Sequence, residues 1–355
     1  AILGACPSLD IVGFKACKIH HIPSEAINKN LRWLILTDNK ISHLPEVIGE
    51  CSRMQKLMLA GNKLTALPET LAQCTRLELL RISANQLTKF PGFLLSMPRL
   101  AWLAFSGNPF CTSPVLPPAT YIPWQNICIA EKLGEGASGT IYRGQAAQNG
   151  TTTEVAVKMF KANMTSDGNP DDEMNATIAA GNYPGLLPMA GVISHHPEGR
   201  KGLVMQLLTG EYNVLGLPPT FVSCTRDVFT EGQHITLNLA KHIAVTVAGV
   251  CAHLHASGIM HGDLYAHNIL TDRRSRTIVS DFGAACFYNR TDKQMQLLEK
   301  IEVAAFGHLL EDLVSISEPD AYLEDISKRC TNLYTDTRPT FEQLSQQLAI
   351  NVTND

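Results

Sequence analysis

The sequence predicts two domains of different fold class, an α/β repeat solenoid over residues 1–110 and an α+β domain over residues 124–355. Three observations lead to this prediction. A leucine-rich pattern recurs every 22 to 23 residues in the first third of the chain, an uncharged stretch with four prolines follows over residues 111–123, and non-repeating runs typical of β-strands begin after Trp124. The prolines predict a short, stiff linker. A length of 355 residues and a net charge of +5 in the first 120 residues against −9 in the remainder also suit two domains.

Composition and charge patterning exclude several classes of protein. The 45% hydrophobic and 17% charged residues are typical of a folded chain rather than a disordered one. No run of 18 apolar residues is free of polar groups, so we expect no membrane span, and the most apolar stretch, residues 242–260, is predicted as a buried helix. Neither half has a basic stripe dense enough for nucleic-acid binding. The ten cysteines form no Cys-x-x-Cys pair and the first residues show no signal-peptide pattern, which predicts a reducing, cytoplasmic location.

The repeated unit reads Leu-x-x-Leu-x-Leu-x-x-Asn-x-Ile-x-x-Leu-Pro over residues 31–45. Its key polar position is occupied in turn by Cys17, Asn39, Asn62, Asn85 and Asn108. This pattern looks like a leucine-rich repeat array of about five repeats. Each short strand would bury its leucine face against the next coil, and each asparagine side chain would hydrogen-bond turn backbone that is otherwise unpaired inside the stack.

The outward-facing strand positions of the repeats carry a set of large apolar residues. The set consists of Trp33, Ile35, Met58, Leu79 and Trp102. An exposed apolar patch on the concave face of a repeat protein usually marks an interface, so we expect a protein substrate or regulator to bind there. The alternative is that the patch packs on the neighbouring domain.

A glycine-rich turn lies between the first two β-type runs of the second domain. It reads Gly134-Glu135-Gly136-Ala137-Ser138-Gly139, and Ile141 follows in the next run. A dinucleotide-binding Gly-x-Gly-x-x-Gly opens a helix, whereas here a strand follows, which favours a strand-turn-strand flap over a triphosphate. Lys158, in the third run Val155-Ala156-Val157-Lys158, is in position to hold the α- and β-phosphates.

Three further polar residues follow in the order that phosphoryl transfer needs. Asp263 and Asn268 lie in one loop, and Asp281 opens the motif Asp281-Phe282-Gly283, 13 residues after Asn268. A carboxylate must orient the acceptor hydroxyl and accept its proton, which is the role predicted for Asp263. Asn268 and Asp281 would supply oxygen ligands for magnesium. Each residue alone is also explained as a loop cap or a turn residue, but the ordered set is not.

Residues 124 to about 350 resemble a eukaryotic-type protein kinase domain, and the exit motif Arg338-Pro339-Thr340-Phe341 is similar to that of the tyrosine-kinase-like group. The resemblance implies a bilobal α+β fold that uses ATP with Mg²⁺ or Mn²⁺. It implies that Glu173 is the helix partner of Lys158, although Glu173 could also belong to a solvated acidic run with the two aspartates before it. The implied ATP site consists of Gly134, Glu135, Gly136, Ala137, Ser138, Gly139, Ile141, Ala156, Lys158, Met205, Gln206 and Leu208.

Three departures from the kinase pattern bear on function. Gly262 replaces the arginine that usually pairs with a phosphorylated activation loop, so we do not expect switching by loop phosphorylation. Tyr265 stands where serine/threonine kinases usually keep a lysine against the γ-phosphate, although His267 offers a donor two residues later. No Ala-Pro-Glu motif is present, so the peptide-docking platform is shortened and Arg338 lacks its usual glutamate partner.

The sequence therefore predicts an ATP-dependent kinase acting on serine, threonine or tyrosine hydroxyls, of serine/threonine or dual specificity, with the repeats recruiting a partner or substrate. Two alternatives stay open. The His-Gly-Asp motif and the short segment after it are also similar to small-molecule kinases of the aminoglycoside and choline kinase type. A pseudokinase scaffold is the other alternative, although a fold kept only for its shape would not need Lys158, Asp263, Asn268 and Asp281 together.

Overall fold

The computed structural model describes residues 2–111, 116–148, 150–161, 164–272 and 274–352. Residues 112–115 of the predicted linker lie outside the described residues, as do the terminal residues 1 and 353–355 of the two predicted domains.

The first part of the chain forms one parallel sheet of five three-residue strands, stacked in chain order. The strands are β1 (Ile11–Gly13), β2 (Trp33–Ile35), β3 (Lys56–Met58), β4 (Leu79–Arg81) and β5 (Trp102–Ala104). Five-residue 3₁₀ turns, each beginning after a proline, lie behind the later strands at Glu46–Glu50, Glu69–Gln73 and Gly92–Ser96. The solenoid was expected to be α/β, but a repeat of 23 residues leaves room only for these short turns. We call residues 2–111 the N-terminal array.

The repeated asparagines bridge successive coils of the array. Asn85 accepts a hydrogen bond from the Leu64 backbone N–H at 3.0 Å and donates to the carbonyls of Leu59 and Ile82, both at 3.0 Å. Asn62 and Asn108 make the equivalent bonds one repeat earlier and one repeat later. These side chains pair backbone groups that are buried away from water.

Replacing Asn85 by alanine is expected to lower the free energy of unfolding by about 2–3 kcal/mol, because it leaves one buried N–H and two buried carbonyls without their partner. The measurement is urea denaturation followed by circular dichroism. Asn126→Ala, at an exposed position of the second domain, is the control and should change stability by less than about 0.5 kcal/mol. Equal losses of the free energy of unfolding in the two variants would show that the Asn85 hydrogen bonds contribute nothing to stability.

The N-terminal lobe of the second domain is a six-stranded sheet with one helix. Its strands are β6 (Tyr121–Pro123), β7 (Ile127–Glu135), β8 (Gly139–Gln148), β9 (Thr151–Phe160), β10 (Met189–Ser194) and β11 (Gly202–Gln206), in the order β6-β10-β11-β9-β8-β7, and its helix is α1 (Pro170–Ala180). Because β6 pairs with β10, residues 121–123 belong to this sheet rather than to the linker where they were predicted.

The C-terminal lobe is helical with small two- and three-stranded sheets. Its helices are α2 (Leu237–Ala256), α3 (Leu297–Ser315), α4 (Ala321–Cys330) and α5 (Phe341–Val352), and its strands are β12 (Asn213–Val214), β13 (Ile259–Met260), β14 (Ile269–Thr271), β15 (Thr277–Val279) and β16 (Cys286–Phe287). The helix predicted over residues 242–260 ends at Ala256, because Gly258, at φ +68°, turns the chain into β13. By length and composition α2 is also apolar enough to cross a membrane, and here it lies in the core of this lobe.

The N-terminal array packs its open face on the second domain. Trp33, Met58, Leu79 and Trp102 are buried and Ile35 is half-buried, which corrects the expectation of an exposed partner-binding patch and follows the alternative of packing on the neighbouring domain. Leu103 and Phe105 share an apolar core with Met260 and Cys286 of the C-terminal lobe. Arg338, expected to lack its usual glutamate partner, donates to backbone carbonyls of Asn332, Lys300 and, in the array, Pro98, all at 2.8–2.9 Å. Two apolar cores therefore each contain residues of both parts of the chain.

Candidate active site

The glycine-rich segment is the turn between β7 and β8. Gly136 donates its backbone N–H to the Gly139 carbonyl at 2.9 Å, which closes the turn. A Cβ on Gly139 would lie 2.7 Å from the Met159 carbonyl, so the strand β9 leaves no room for a side chain there. The Glu135 carboxylate turns to the surface, where hydrogen bonds from Lys132 and Lys161 lower its pKa to about 2. Backbone, not the Glu135 side chain, is therefore what this flap presents to a ligand.

Lys158 forms an ion pair with Glu173. Lys158 lies on β9, in register with Ile141 on one side and Leu203 on the other, and its Nζ contacts Glu173 Oε1. Glu173 is in the first turn of α1 and is only 2% exposed. Burial raises the pKa of its carboxyl, whereas the charge of Lys158 lowers it.

The acidic run that contains Glu173 is not uniformly solvated. Asp171 pairs with Lys201 at the surface, at 2.6 Å, and Asp172 faces the N-terminal array, where burial raises its pKa. Helix geometry thus points three successive carboxylates in three directions, and only Glu173 reaches Lys158.

The strand β11 pairs with β9 and leads into the predicted hinge. Met205 is buried and stands opposite Ala156 of β9. The Gln206 backbone N–H donates to the Pro188 carbonyl at 2.8 Å, and its side chain is exposed. Leu208 follows outside the strand and is half-buried. The remaining predicted ATP residues lie on the glycine-rich turn, with Ala137 and Ser138 at its tip.

Asp263 lies in the loop between β13 and β14, where two neighbours fix its position. Asn268 Nδ2 donates to Asp263 Oδ2 at 3.0 Å and to the Asp263 carbonyl at 2.9 Å. The preceding Gly262 N–H donates to Glu302 Oε1 at 2.6 Å, and Glu302 Oε2 lies 2.7 Å from His255 Nε2. Burial opposes ionisation of Glu302, but the His255 contact and the Gly262 N–H lower its pKa. Sequence reasoning did not assign Glu302 and His255 to the site, although an acidic residue inside so apolar a helix was a usable signal.

Asn268 and Asp281 are brought together by the hairpin of β14 and β15. Ser280 donates its backbone N–H to the Asn268 carbonyl at 2.9 Å, and Asp281 is the next residue after Ser280. Since the Asn268 amide nitrogen is used by Asp263, its amide oxygen is the group left for a ligand. Two hard oxygen donors suit Mg²⁺ or Mn²⁺, which completes its coordination with water and phosphate oxygens. The described residues contain no group of three or more His, Cys, Asp or Glu that could hold a metal alone.

Tyr265 and His267 follow Asp263 in the same loop, and their rings have partners of their own. The Tyr265 ring stacks on Trp102 of the array, with ring centroids 4.4 Å apart and planes 5° apart. His267 Nδ1 lies 2.7 Å from Asp227 Oδ1, and its backbone N–H donates to Asp227 Oδ2 at 2.8 Å. Both rings are therefore held by neighbours outside the phosphate-binding residues.

Arg81 of the N-terminal array reaches into this loop, which sequence reasoning missed. Its Nη2 forms an ion pair with Asp263 Oδ1, its Nη1 donates to the Gly262 carbonyl at 3.1 Å, and its Nε donates to Asp167 Oδ1 at 2.6 Å. Burial lowers the pKa of the guanidinium, but Asp263 and Asp167 raise it more, and the net shift is upward. For Asp263, burial raises the pKa and Arg81 lowers it.

Comparison with known proteins agrees with this geometry. A family model for protein tyrosine and serine/threonine kinases matches residues 127–306, half of the chain. The rust resistance kinase Lr10 of Triticum aestivum is 30% identical over 164 residues, which are 44% of this chain and 23% of that protein. Cyclin-dependent kinase B2-2 of Arabidopsis thaliana is 28% identical over 159 residues, 44% of this chain and 48% of that protein.

The chain thus covers 23% and 48% of the length of these two relatives. Residues 127–306, which the family model matches, contain the glycine-rich turn, the Lys158–Glu173 pair, and the loop with Asp263 and Asn268. The fold of this part is the bilobal α+β kinase fold, which uses ATP and a divalent metal. By this match and this arrangement of side chains, the chain belongs to the protein tyrosine and serine/threonine kinase family.

Proposed function

We propose that this protein transfers the γ-phosphate of ATP to a hydroxyl of a protein substrate, on serine, threonine or tyrosine. The observation that carries the proposal is the joint presence of the Lys158–Glu173 ion pair and the Asp263–Asn268 hydrogen bond beside Asp281. A pseudokinase kept as a scaffold has no need for both polar pairs, because each brings ionised groups into a buried setting.

Each residue has one task in the proposed reaction. Lys158, held by Glu173, would bind the α- and β-phosphates, and Asn268 with Asp281 would hold the metal. A bound Mg²⁺ or Mn²⁺ supplies charge neutralisation at the transferring phosphoryl group. Asp263 would orient the acceptor hydroxyl for in-line attack and accept its proton.

The N-terminal array is, in this proposal, a leucine-rich repeat solenoid, and the kinase domain belongs to the tyrosine-kinase-like group. The 23-residue spacing and the asparagine bridges support the first assignment. The motif ending in Arg338-Pro339-Thr340-Phe341 supports the second. We further propose a cytoplasmic signalling role, for which the ten free cysteines without a disulfide pair are the support. Recruitment of a protein partner by the array would have to use surface other than the buried face.

The test is transfer of labelled γ-phosphate from Mg-ATP to the purified chain and to a generic protein acceptor. Asp263→Asn is expected to reduce transfer by at least about 10²-fold, because the amide cannot accept the proton. Asp292→Asn, the same substitution at an exposed position, is the matched control. Label on protein that disappears only in Asp263→Asn supports the proposal, and phosphoamino-acid analysis then separates serine and threonine from tyrosine.

Two other outcomes would contradict the proposal. ATP turnover that rises with small hydroxyl compounds while protein stays unlabelled would identify a small-molecule kinase. No turnover with any acceptor would identify a scaffold.

A further inference from the structure

We propose that Arg81 of the N-terminal array is a positioning residue of the kinase centre, which holds the Asp263 carboxylate in the orientation needed for the acceptor hydroxyl. This inference rests on the proposed function and adds a part of the site that lies outside the matched kinase segment. The array would then be a component of the catalytic centre and not only a recruiting module.

The Arg81 guanidinium contacts two consecutive residues of the loop. Its Nη1 donates a hydrogen bond to the Gly262 carbonyl, and its Nη2 donates to the Asp263 carboxylate. The Arg81 side chain is only 2% exposed, so packing fixes the donor itself. A planar, bidentate donor of this kind fixes both the backbone and the side chain of the residue it holds.

The loop around Asp263 supplies no lysine or arginine of its own. Residues 261–270 contain neither, and His267, whose charge also lowers the pKa of Asp263, is hydrogen-bonded to Asp227. Among the described residues, Arg81 is the one arginine or lysine in ion-pair contact with Asp263. Without it, the buried carboxylate would lose the counter-charge in direct contact with it, a loss that buried ion pairs tolerate poorly.

The loop around Asp263 also packs closely against the array. Gly262 has φ +75°, and a Cβ there would lie 3.0 Å from the Leu103 carbonyl of β5 and 2.4 Å from the Ala284 carbonyl. A side chain at position 262 is therefore excluded by the Ala284 carbonyl, and the array that supplies Arg81 closes the space on its other side. Trp102 Nε1 donates to the Leu264 carbonyl of the same loop at 3.0 Å, so the array holds the loop on both sides of Asp263.

The contact leaves Asp263 able to accept a hydroxyl. An ionised carboxylate offers about four lone-pair sites, two on each oxygen. Arg81 uses Oδ1 and Asn268 uses Oδ2, which leaves one site on each oxygen. The opposite interpretation, in which the array covers the site and must leave before catalysis, would require exposing the apolar core shared by Leu103, Phe105 and Cys286.

The experiment compares steady-state phosphorylation by the full chain with that of three variants, with kcat and the KM for ATP measured separately. Arg81→Gln is expected to lower kcat by about 10- to 100-fold, since a small misplacement of a catalytic group has an effect of this size. The KM for ATP should change by less than about twofold, because Arg81 contacts none of the ATP-binding residues. Arg81→Lys retains the charge but not the two-point grip, so it should recover most of the lost kcat and stay about 3- to 10-fold below the wild type.

Arg32→Gln is the matched control. It is the same substitution in the same array, and Arg32 also bridges to the C-terminal lobe, by donating to the carbonyls of Phe221 and Val222 at 2.6 and 3.0 Å. It should lower thermal stability and leave kcat within about twofold of the wild type.

Three results would overturn the inference. A kcat that rises in Arg81→Gln would show that the contact is an inhibitory cover, and a kcat that falls equally in Arg32→Gln would show a purely structural role. If Arg81→Gln does not fold, Arg81→Lys decides, because a wild-type kcat in that variant would reduce Arg81 to a stabilising charge. A wild-type chain without transfer activity would overturn the proposed function itself, whereas these three results leave the function standing.

Discussion

Replacing Trp102 by alanine is expected to lower the free energy of unfolding by about 3–5 kcal/mol, at the upper end of what a single substitution does. The residue is 1% exposed and fills the contact between the N-terminal array and the C-terminal lobe. Its ring stacks on Tyr265 and on His308, with centroid distances of 4.4 and 5.4 Å. Truncation removes both stacks, leaves a cavity, and strips the buried Leu264 carbonyl of its donor.

The matched control for Trp102 is Trp33→Ala, because both residues occupy the same position of the repeat. The Trp33 ring lies 5.6 Å from that of Phe221, a residue that is itself 69% exposed, and the Trp33 indole nitrogen has no hydrogen-bond partner among the described residues. In chemical denaturation, Trp33→Ala should therefore lower the free energy of unfolding clearly less than Trp102→Ala does. If the two substitutions lower the free energy of unfolding equally, the stacking and the hydrogen bond of Trp102 add nothing to the stability that burial of its apolar surface supplies.

The array illustrates what sequence periodicity predicts and what it does not. The spacing of Asn39, Asn62, Asn85 and Asn108 is local information, and it predicts the strands and the bridges because each repeat contacts only its neighbours. The surface that covers the outward face of the array is formed by residues far along the chain, and their shape and chemistry determine whether it fits. The stacking partners of Trp102 are 163 and 206 positions later, and no local pattern indicates them.

In the candidate site, too, local sequence predicts some residues, whereas others depend on contacts between distant parts of the chain. The order of Lys158, Asp263, Asn268 and Asp281 is readable because it follows from strand and loop order. The choice of Glu173 among three adjacent carboxylates depends on where α1 begins, which is the least predictable feature of a helix. In the repeats, Arg81 stands at the strand position that Ile35 and Met58 occupy, so the sequence shows it only as a charged residue where its neighbours are apolar. Its counter-ion lies 182 positions later in the chain, so its role appears only in the folded protein.

Replacing Lys158 by methionine is expected to lower kcat/KM for ATP by about 10²–10³-fold, the size of effect seen when one preorganised electrostatic partner of a reacting group is removed. Methionine keeps much of the length and packing of the lysine stem, so the change isolates the charge. The substitution also leaves the buried Glu173 carboxyl without its counter-charge. Breaking a buried ion pair from one side costs about 3–5 kcal/mol in stability at neutral pH.

The stability of Lys158→Met should depend on pH in a direction that identifies Glu173 as the cause. Burial raises the pKa of Glu173 and Lys158 opposes this, so the variant has a folded-state pKa further above the unfolded value of about 4.3. A carboxyl with a raised folded-state pKa favours folding when protonated, so the variant should regain stability relative to the wild type as the pH falls from 7 towards 5. The measurement is urea denaturation of both proteins across this range.

The double variant Lys158→Met/Glu173→Gln separates stability from activity. The neutral amide removes the uncompensated charge, so the double variant should be more stable than Lys158→Met at pH 7 and should lose the extra pH dependence. Its transfer activity should stay as low as that of the single variant, because nothing replaces the cation that holds the phosphates. A double variant no more stable than Lys158→Met would show that Glu173 does not bear its charge in the folded protein. Restored activity would mean that Lys158 acts only by neutralising Glu173, and that the phosphates are held by other groups.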